Sequence, residues 1–200
     1  VKVGVLALQG GFEPHVRMLR SLGVEPELVR SPGALHEVTH LVLPGGESTT
    51  LHHLLELFGM WGLLRERHAA GELALFGTCA GAILLGGGED ARPPRLEVLD
   101  AQLERNAYGR QVDSFREPIE FEGRALEAVF IRAPRIARVG PNARVLARRG
   151  GERVLGEPVL VEGPGVLAAT FHPELGRDTR IHQRFLALAR NEIARASRDE

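Results

Sequence analysis

The chain has 200 residues, a formal charge of −1, one cysteine and one lysine. A near-neutral balance lacks the concentrated basic face that a polyanion partner requires and argues against nucleic acid. A single cysteine excludes an intramolecular disulfide and suits a reducing, cytoplasmic setting. At about 100–200 residues per domain the length predicts one domain over residues 1–200, and the most apolar stretch, residues 73–88, is glycine-rich and too short to span a membrane.

Residues 2–8 read as a buried strand rather than a secretory leader, because the run is short and Lys2 is the only basic residue before Arg17. A helix follows over 13–22, stopped by Gly23, and a strand over 25–29. The strand at 40–43 runs into Pro44-Gly45-Gly46-Glu47. Beyond it a helix over 49–58 carries Leu51, Leu54, Leu55 and Phe58 on one face, with Ser48 or Thr49 as N-cap. Two glycines before a helix either form a plain tight turn or aim backbone N–H groups at a developing oxyanion. A phosphate cradle is the weaker reading, since no Gly-Lys-Ser/Thr follows and Glu47 would repel the ligand.

A helix over 61–70, a strand over 73–77 and a helix over 80–85 complete a strand–helix alternation that predicts a parallel sheet covered on both faces. Between the last two lies Gly77-Thr78-Cys79-Ala80-Gly81. This is the thiol form of the nucleophile elbow, in which a strand breaks sharply into a helix and exposes the nucleophile. The helix start beneath Cys79 favours thiolate over thiol. The competing reading is a buried cysteine acting as a small hydrophobe.

From 96 to 171, short apolar runs punctuated by Gly123, Gly140-Pro141, Gly150-Gly151 and Gly163-Pro164-Gly165 predict largely antiparallel strands. The strand at 166–171 ends on His172-Pro173-Glu174. In an extended segment His172 and Glu174 point the same way, so the carboxylate would fix the imidazole tautomer and leave the other nitrogen to take a thiol proton. A histidine beside proline is otherwise an ordinary turn residue, and its weight comes from the conjunction with Cys79. A final helix is expected over 179–198, with Ile181, Phe185, Leu188 and Ile193 on one face. The remaining histidines, His15 and His182 among them, show no ligand-like spacing, so neither a metal nor an organic cofactor is expected.

Together the glycine loop, the cysteine elbow and the His-x-Glu arm resemble class I, triad-type glutamine amidotransferases. Further blocks are similar to one branch, the glutaminase subunits of pyridoxal 5'-phosphate synthase: Gly4-Val5-Leu6-Ala7-Leu8-Gln9-Gly10, the stretch 104–115, Ile131-Arg132-Ala133-Pro134 and Phe171-His172-Pro173-Glu174-Leu175. The resemblance implies an α/β, three-layer domain of flavodoxin-like type with a central mixed, mostly parallel sheet and an antiparallel extension in the second half. It implies hydrolysis of L-glutamine with Cys79 as nucleophile, His172 as acid and base and Glu174 as its support. The oxyanion would be held by Ala80 and the Gly45-Gly46 turn. Gly46, Glu47, Ser48, Arg105, Ile131 and Arg132 would hold glutamine, with Gln9 and Gly10 nearby; solvated surface charge is the competing reading of the two arginines. The ammonia would pass to a separate, barrel-shaped synthase subunit acting on ribose 5-phosphate and glyceraldehyde 3-phosphate. A glutaminase subunit of imidazole glycerol phosphate synthase and a non-catalytic regulatory relative are the alternatives, and the block from Arg105 to Phe115 favours the vitamin B6 branch over the former.

Overall fold

The computed structural model describes residues 1–89, 93–105, 114–150 and 156–188. Most of the block at 104–115, Gly151 and the predicted final helix beyond residue 188 therefore lie outside the described residues. The first half contains β1 (Val3–Leu6), α1 (Phe12–Ser21), β2 (Glu27–Val29), α2 (Pro32–Glu37), β3 (His40–Leu43), α3 (Ser48–Leu57), α4 (Trp61–Ala69), β4 (Ala74–Thr78) and α5 (Ala80–Leu85). The second half contains β5 (Ala101–Glu104), β6 (Phe115–Phe121), β7 (Arg124–Phe130), β8 (Arg135–Val139), β9 (Arg144–Arg149), β10 (Glu157–Gly163) and β11 (Val166–Ala169). A 3-10 turn (Pro173–Leu175) and α6 (Arg180–Leu186) follow.

Seven of these strands form one sheet in the order β2-β1-β3-β4-β11-β10-β9. The run from β2 to β11 is parallel and the β11-β10-β9 edge antiparallel. Two antiparallel pairs, β5-β8 and β6-β7, stand apart from it. The mixed, mostly parallel sheet and the antiparallel second half are those that the sequence predicts.

Strand side chains alternate between the faces of the sheet, and each face carries its own core. Leu41, Leu43, Leu75, Val166 and Ala168 pack with Leu51, Leu55, Leu64 and Leu84 of α3, α4 and α5. Val5, Val42, Phe76, Leu167 and Ala169 pack on the other face with Leu19 of α1, Phe185 of α6 and Ile119, Phe121 and Phe130 of the β6-β7 pair. Burial on both faces is why these strands read as continuous apolar runs.

Two local features differ from the sequence reading. Helix α2 is too short for periodicity to reveal it, although Ser31 caps it through Ala34 N at 3.3 Å and Pro32 opens it. Helix α3 is capped by Glu47 instead of Ser48 or Thr49: its carboxylate accepts from Thr49 N at 3.1 Å and Thr50 N at 2.6 Å. A side chain with one more methylene than aspartate reaches the same N–H groups.

Helix α5 is clamped to the sheet. A Cβ at Gly81 would lie 2.0 Å from the Leu43 carbonyl oxygen, and one at Gly77 would lie 2.6 Å from Ala82 N. At its other end the Arg95 guanidinium, 7% exposed, donates to Gly87 O at 2.8 Å, Leu103 O at 2.9 Å and Ile83 O at 3.4 Å. Gly62 in α4, by contrast, faces open space. Gly81→Ala is expected to lower stability by about 1–3 kcal/mol through overpacking, whereas Gly62→Ala is expected to raise it by about 0.5–1 kcal/mol through helix propensity; urea unfolding midpoints of the two variants check the contrast.

Candidate active site

Strands β3, β4 and β11 are parallel neighbours, so their carboxyl ends open on one side of the sheet, where ligands of open α/β sheets gather. Gly45 follows β3, Cys79 follows β4 and His172 follows β11. The cysteine sits at φ 48°, ψ −105°, a conformation costing on the order of 1–3 kcal/mol for a residue with a side chain. Its backbone N–H donates to Ala169 O at 2.9 Å, which ties the elbow to β11. The thiol is 7% exposed and donates toward Ile131 O at 3.7 Å. The next residue, Arg132, is exposed and also has positive φ, 43°.

His172 is anchored by its backbone N–H on Val129 O at 2.8 Å, and its Nδ1 lies 2.6 Å from Glu174 Oε1. The sequence predicts an extended arm here. Instead residues 173–175 form the 3-10 turn, because β11 has ended and the fixed φ of Pro173 suits a first helical position. The turn, and not strand alternation, folds Glu174 back onto the imidazole. Nε2 of His172 is buried and makes no hydrogen bond among the described residues. A Cβ on Gly45 would lie 2.5 Å from His172 Cε1 and 3.4 Å from Cys79 Cβ, so only a glycine fits against both.

Burial opposes protonation of His172, but the neighbouring Cys79 and the Glu174 carboxylate outweigh it and raise its pKa to about 10. Burial likewise pushes the Glu174 carboxyl upward, and the facing His15 and His172 more than offset it, holding it below the ordinary value.

The glycine loop rests on the loop after β1. Gly45 O accepts from Gly11 N at 3.0 Å, and Glu47 N donates to Gln9 Oε1 at 3.4 Å. A Cβ at Gly10 would lie 2.1 Å from Gly45 O, and one at Gly46, where φ is 156°, would lie 2.7 Å from the Gln9 amide nitrogen. Arg105 reaches the same loop: Nη1 is 3.4 Å from Thr49 Oγ1 and Nη2 is 3.6 Å from Glu47 Oε1. Ser48 is buried and Ala80 opens α5, where first-turn N–H groups have no intrahelical acceptor. The structure thus brings Gly45, Cys79, Ile131, His172 and Glu174 together. Gly46, Glu47, Ser48 and Arg105 lie along the adjoining loop and helix start.

Sequence reasoning missed His15. It is wholly buried, with Nε2 3.4 Å from Glu174 Oε2 and 3.1 Å from Thr78 Oγ1. The available signal was its place on the buried side of α1 with Val16 and Leu19, an unusual position for a polar ring. Among the described residues no group of three or more His, Cys, Asp or Glu side chains could hold a metal ion, and no helix is long and apolar enough to cross a membrane.

A thiol on a strained strand-to-helix turn, an imidazole beside it and a carboxylate behind the imidazole are suited to nucleophilic acyl transfer. The chain belongs to the SNO glutamine amidotransferase family, whose model matches residues 5–190. It is 51% identical over 195 residues to pyridoxal 5'-phosphate synthase subunit PdxT of Deinococcus radiodurans, covering 94% of this chain and 96% of that one. It is 50% identical over 190 residues to the PdxT subunit of Thermus thermophilus, covering 94% and 97%. The crystal structure of a glutamine amidotransferase superposes with a TM-score of 0.87 at 49% identity, covering 94% of this chain and 99% of that one.

Because its folded pKa is raised, His172 contributes stability that is complete below its ordinary value of 6.5 and is lost as pH rises toward about 10. A nitrogen-15 NMR titration is expected to find the imidazole protonated well above pH 7. Glu174→Gln or Cys79→Ala should each move the transition to lower pH.

Proposed function

We propose that this chain hydrolyses L-glutamine to L-glutamate and ammonia and delivers the ammonia to a separate pyridoxal 5'-phosphate synthase subunit. The observation that carries the reading is similarity at about half identity to the PdxT subunits over 94% of this chain, together with the Cys79, His172 and Glu174 cluster. The same similarity favours the vitamin B6 branch over imidazole glycerol phosphate synthesis.

In this reading His172 Nε2 holds the Cys79 proton as an imidazolium–thiolate pair, and Cys79 Sγ attacks the carboxamide carbon as the thiolate. The proton passes to the leaving nitrogen, the C–N bond breaks, and ammonia departs from a glutamyl thioester. Water, deprotonated by His172, attacks the thioester; the C–S bond breaks, Cys79 leaves as the thiolate beside the reprotonated His172, and glutamate departs with its acid proton lost to solvent. Glu174 holds the imidazole in the tautomer with the proton on Nδ1 and supports the imidazolium. The oxyanion is taken by the Ala80 N–H and an N–H of the Gly45-Gly46 turn, each worth about 2.7–4 kcal/mol in enzymes where one such donor was removed. Arg105 and Arg132 meet the substrate carboxylate, and Gly46, Glu47, Ser48 and Ile131 complete its site. Ammonia released into neutral water becomes largely ammonium, which is not nucleophilic, so the partner must receive it along a protected path. A cytoplasmic setting, consistent with the free thiol of Cys79, belongs to the same proposal.

Cys79→Ala is expected to lower glutamine hydrolysis by a factor on the order of 10⁶ without loss of fold. Its complex with the synthase should still make pyridoxal phosphate when ammonium salts replace glutamine. Retained hydrolysis in this variant would sink the mechanism. Arg105→Ala and Arg132→Ala should each raise the KM for glutamine about 10-fold or more, the scale of a hydrogen bond to a charged group. Arg138→Ala, exposed on β8, serves as control and should change nothing measurable; equal effects at all three positions would reduce Arg105 and Arg132 to surface charge.

A further inference from the structure

His172 accounts for only one oxygen of the Glu174 carboxylate. Oε1 meets His172 Nδ1 at 2.6 Å, while Oε2 is buried and faces His15 Nε2 at 3.4 Å. His15 comes from α1, is wholly buried and sits at the centre of a polar chain. Nε2 is also 3.1 Å from the hydroxyl of Thr78, the residue before Cys79, and Nδ1 is 3.0 Å from Nε2 of His182, another buried histidine on α6. The groups facing this point come from four elements: His15 from α1, Thr78 from β4, His182 from α6, and Glu174 with His172 from the segment after β11.

We propose that His15 is a positioning residue for the hydrolysis, directing an N–H at Glu174 Oε2 and, through Glu174, fixing the orientation of His172. The inference rests on the reading of Cys79, His172 and Glu174 as the reacting cluster. A neutral imidazole has one N–H and one lone pair. With the proton on Nδ1, the Nε2 lone pair would confront a buried carboxylate oxygen, two negative ends 3.4 Å apart. With the proton on Nε2, the N–H bonds Thr78 Oγ1 at 3.1 Å and turns its positive end toward Glu174 Oε2, which has no hydrogen-bond partner among the described residues, and Nδ1 accepts from His182 Nε2–H. The second tautomer turns a positive end toward the buried carboxylate and the first a lone pair. It leaves His182 Nδ1 as a lone pair, which accords with that atom having no hydrogen-bond partner among the described residues. Burial favours the neutral forms of both rings, pushing His15 below its ordinary value and His182 to about 3. His15 therefore presents an N–H dipole to an ionised carboxylate and does not act as a second base.

The arrangement predicts a specific pattern in the complex with the synthase. His15→Leu removes the donor and should lower kcat for glutamine hydrolysis about 10–100-fold, the scale of an ångström-sized misplacement of a reacting group, with KM changed less than about twofold because the substrate side is untouched. His15→Gln places an amide N–H at a reach similar to Nε2 and should recover most of the rate. In the same variants the His172 titration should move to lower pH in His15→Leu and stay near wild type in His15→Gln. Should the leucine variant not fold, His15→Asn replaces it, since its shorter amide reaches only toward His182 and should be as slow. The proposal is overturned by a wild-type kcat in the Leu or Asn variant, by a Gln variant as slow as Leu or Asn, or by a loss of rate with the His172 titration unmoved. Failure of the underlying reading has a separate signature, retained hydrolysis in Cys79→Ala, and the proposal would fall with it.

Discussion

The ladder joining β3, β4 and β11 is the interaction on which the rest of the site depends. Leu43 pairs with Gly77, Ala169 pairs with Thr78, and the bond from Cys79 N to Ala169 O carries the pairing one residue past the end of β4. That last bond anchors the backbone of the cysteine at the point where it turns out of the sheet. Three segments far apart in the chain are thereby held at one edge. Their relative placement is set by backbone hydrogen bonds, which a surface substitution hardly disturbs.

Electrostatics supply the second constraint. Glu174 and His172 are both buried, and an isolated charge there would be expensive. The cost is met by mutual pairing and by the ring of His15 behind the carboxylate. Helix α1, the end of β4, the 3-10 turn and α6 thus converge on one carboxylate. The apolar core on this face of the sheet and the polar chain are parts of one packing arrangement, since Phe76 lies edge-on to the rings of both His15 and His182.

Much of this was legible in the sequence because it depends on short-range chemistry. The strands that carry the site are continuous apolar runs, and α5 spans the predicted residues because Gly-x-Cys-x-Gly marks both the turn and the helix start. The legible site residues were those whose types are rare at a strand end, namely paired glycines, the single cysteine and a histidine followed by a glutamate. The extended arm at His172 was misread because nothing local says where β11 stops pairing. Glu47 escaped notice as a cap because glutamate seldom serves as one. His15 was passed over for a different reason: its place on the buried side of α1 marks it as unusual, but its partners are Thr78, Glu174 and His182, and no spacing within α1 encodes a contact that tertiary packing creates.

The latch formed by Arg95 bears on how the elbow responds to acidity. A guanidinium keeps its charge throughout the range in which proteins are stable, so the bonds from Arg95 to the carbonyls of Ile83, Gly87 and Leu103 do not loosen with pH. Helix α5 therefore has one end whose neighbours change charge, where Cys79 meets His172, and another end that is chemically invariant. Protonation at the first end acts on a helix that the second end keeps in place, so a change of pH alters the charge on His172 more than it alters its distance from Cys79.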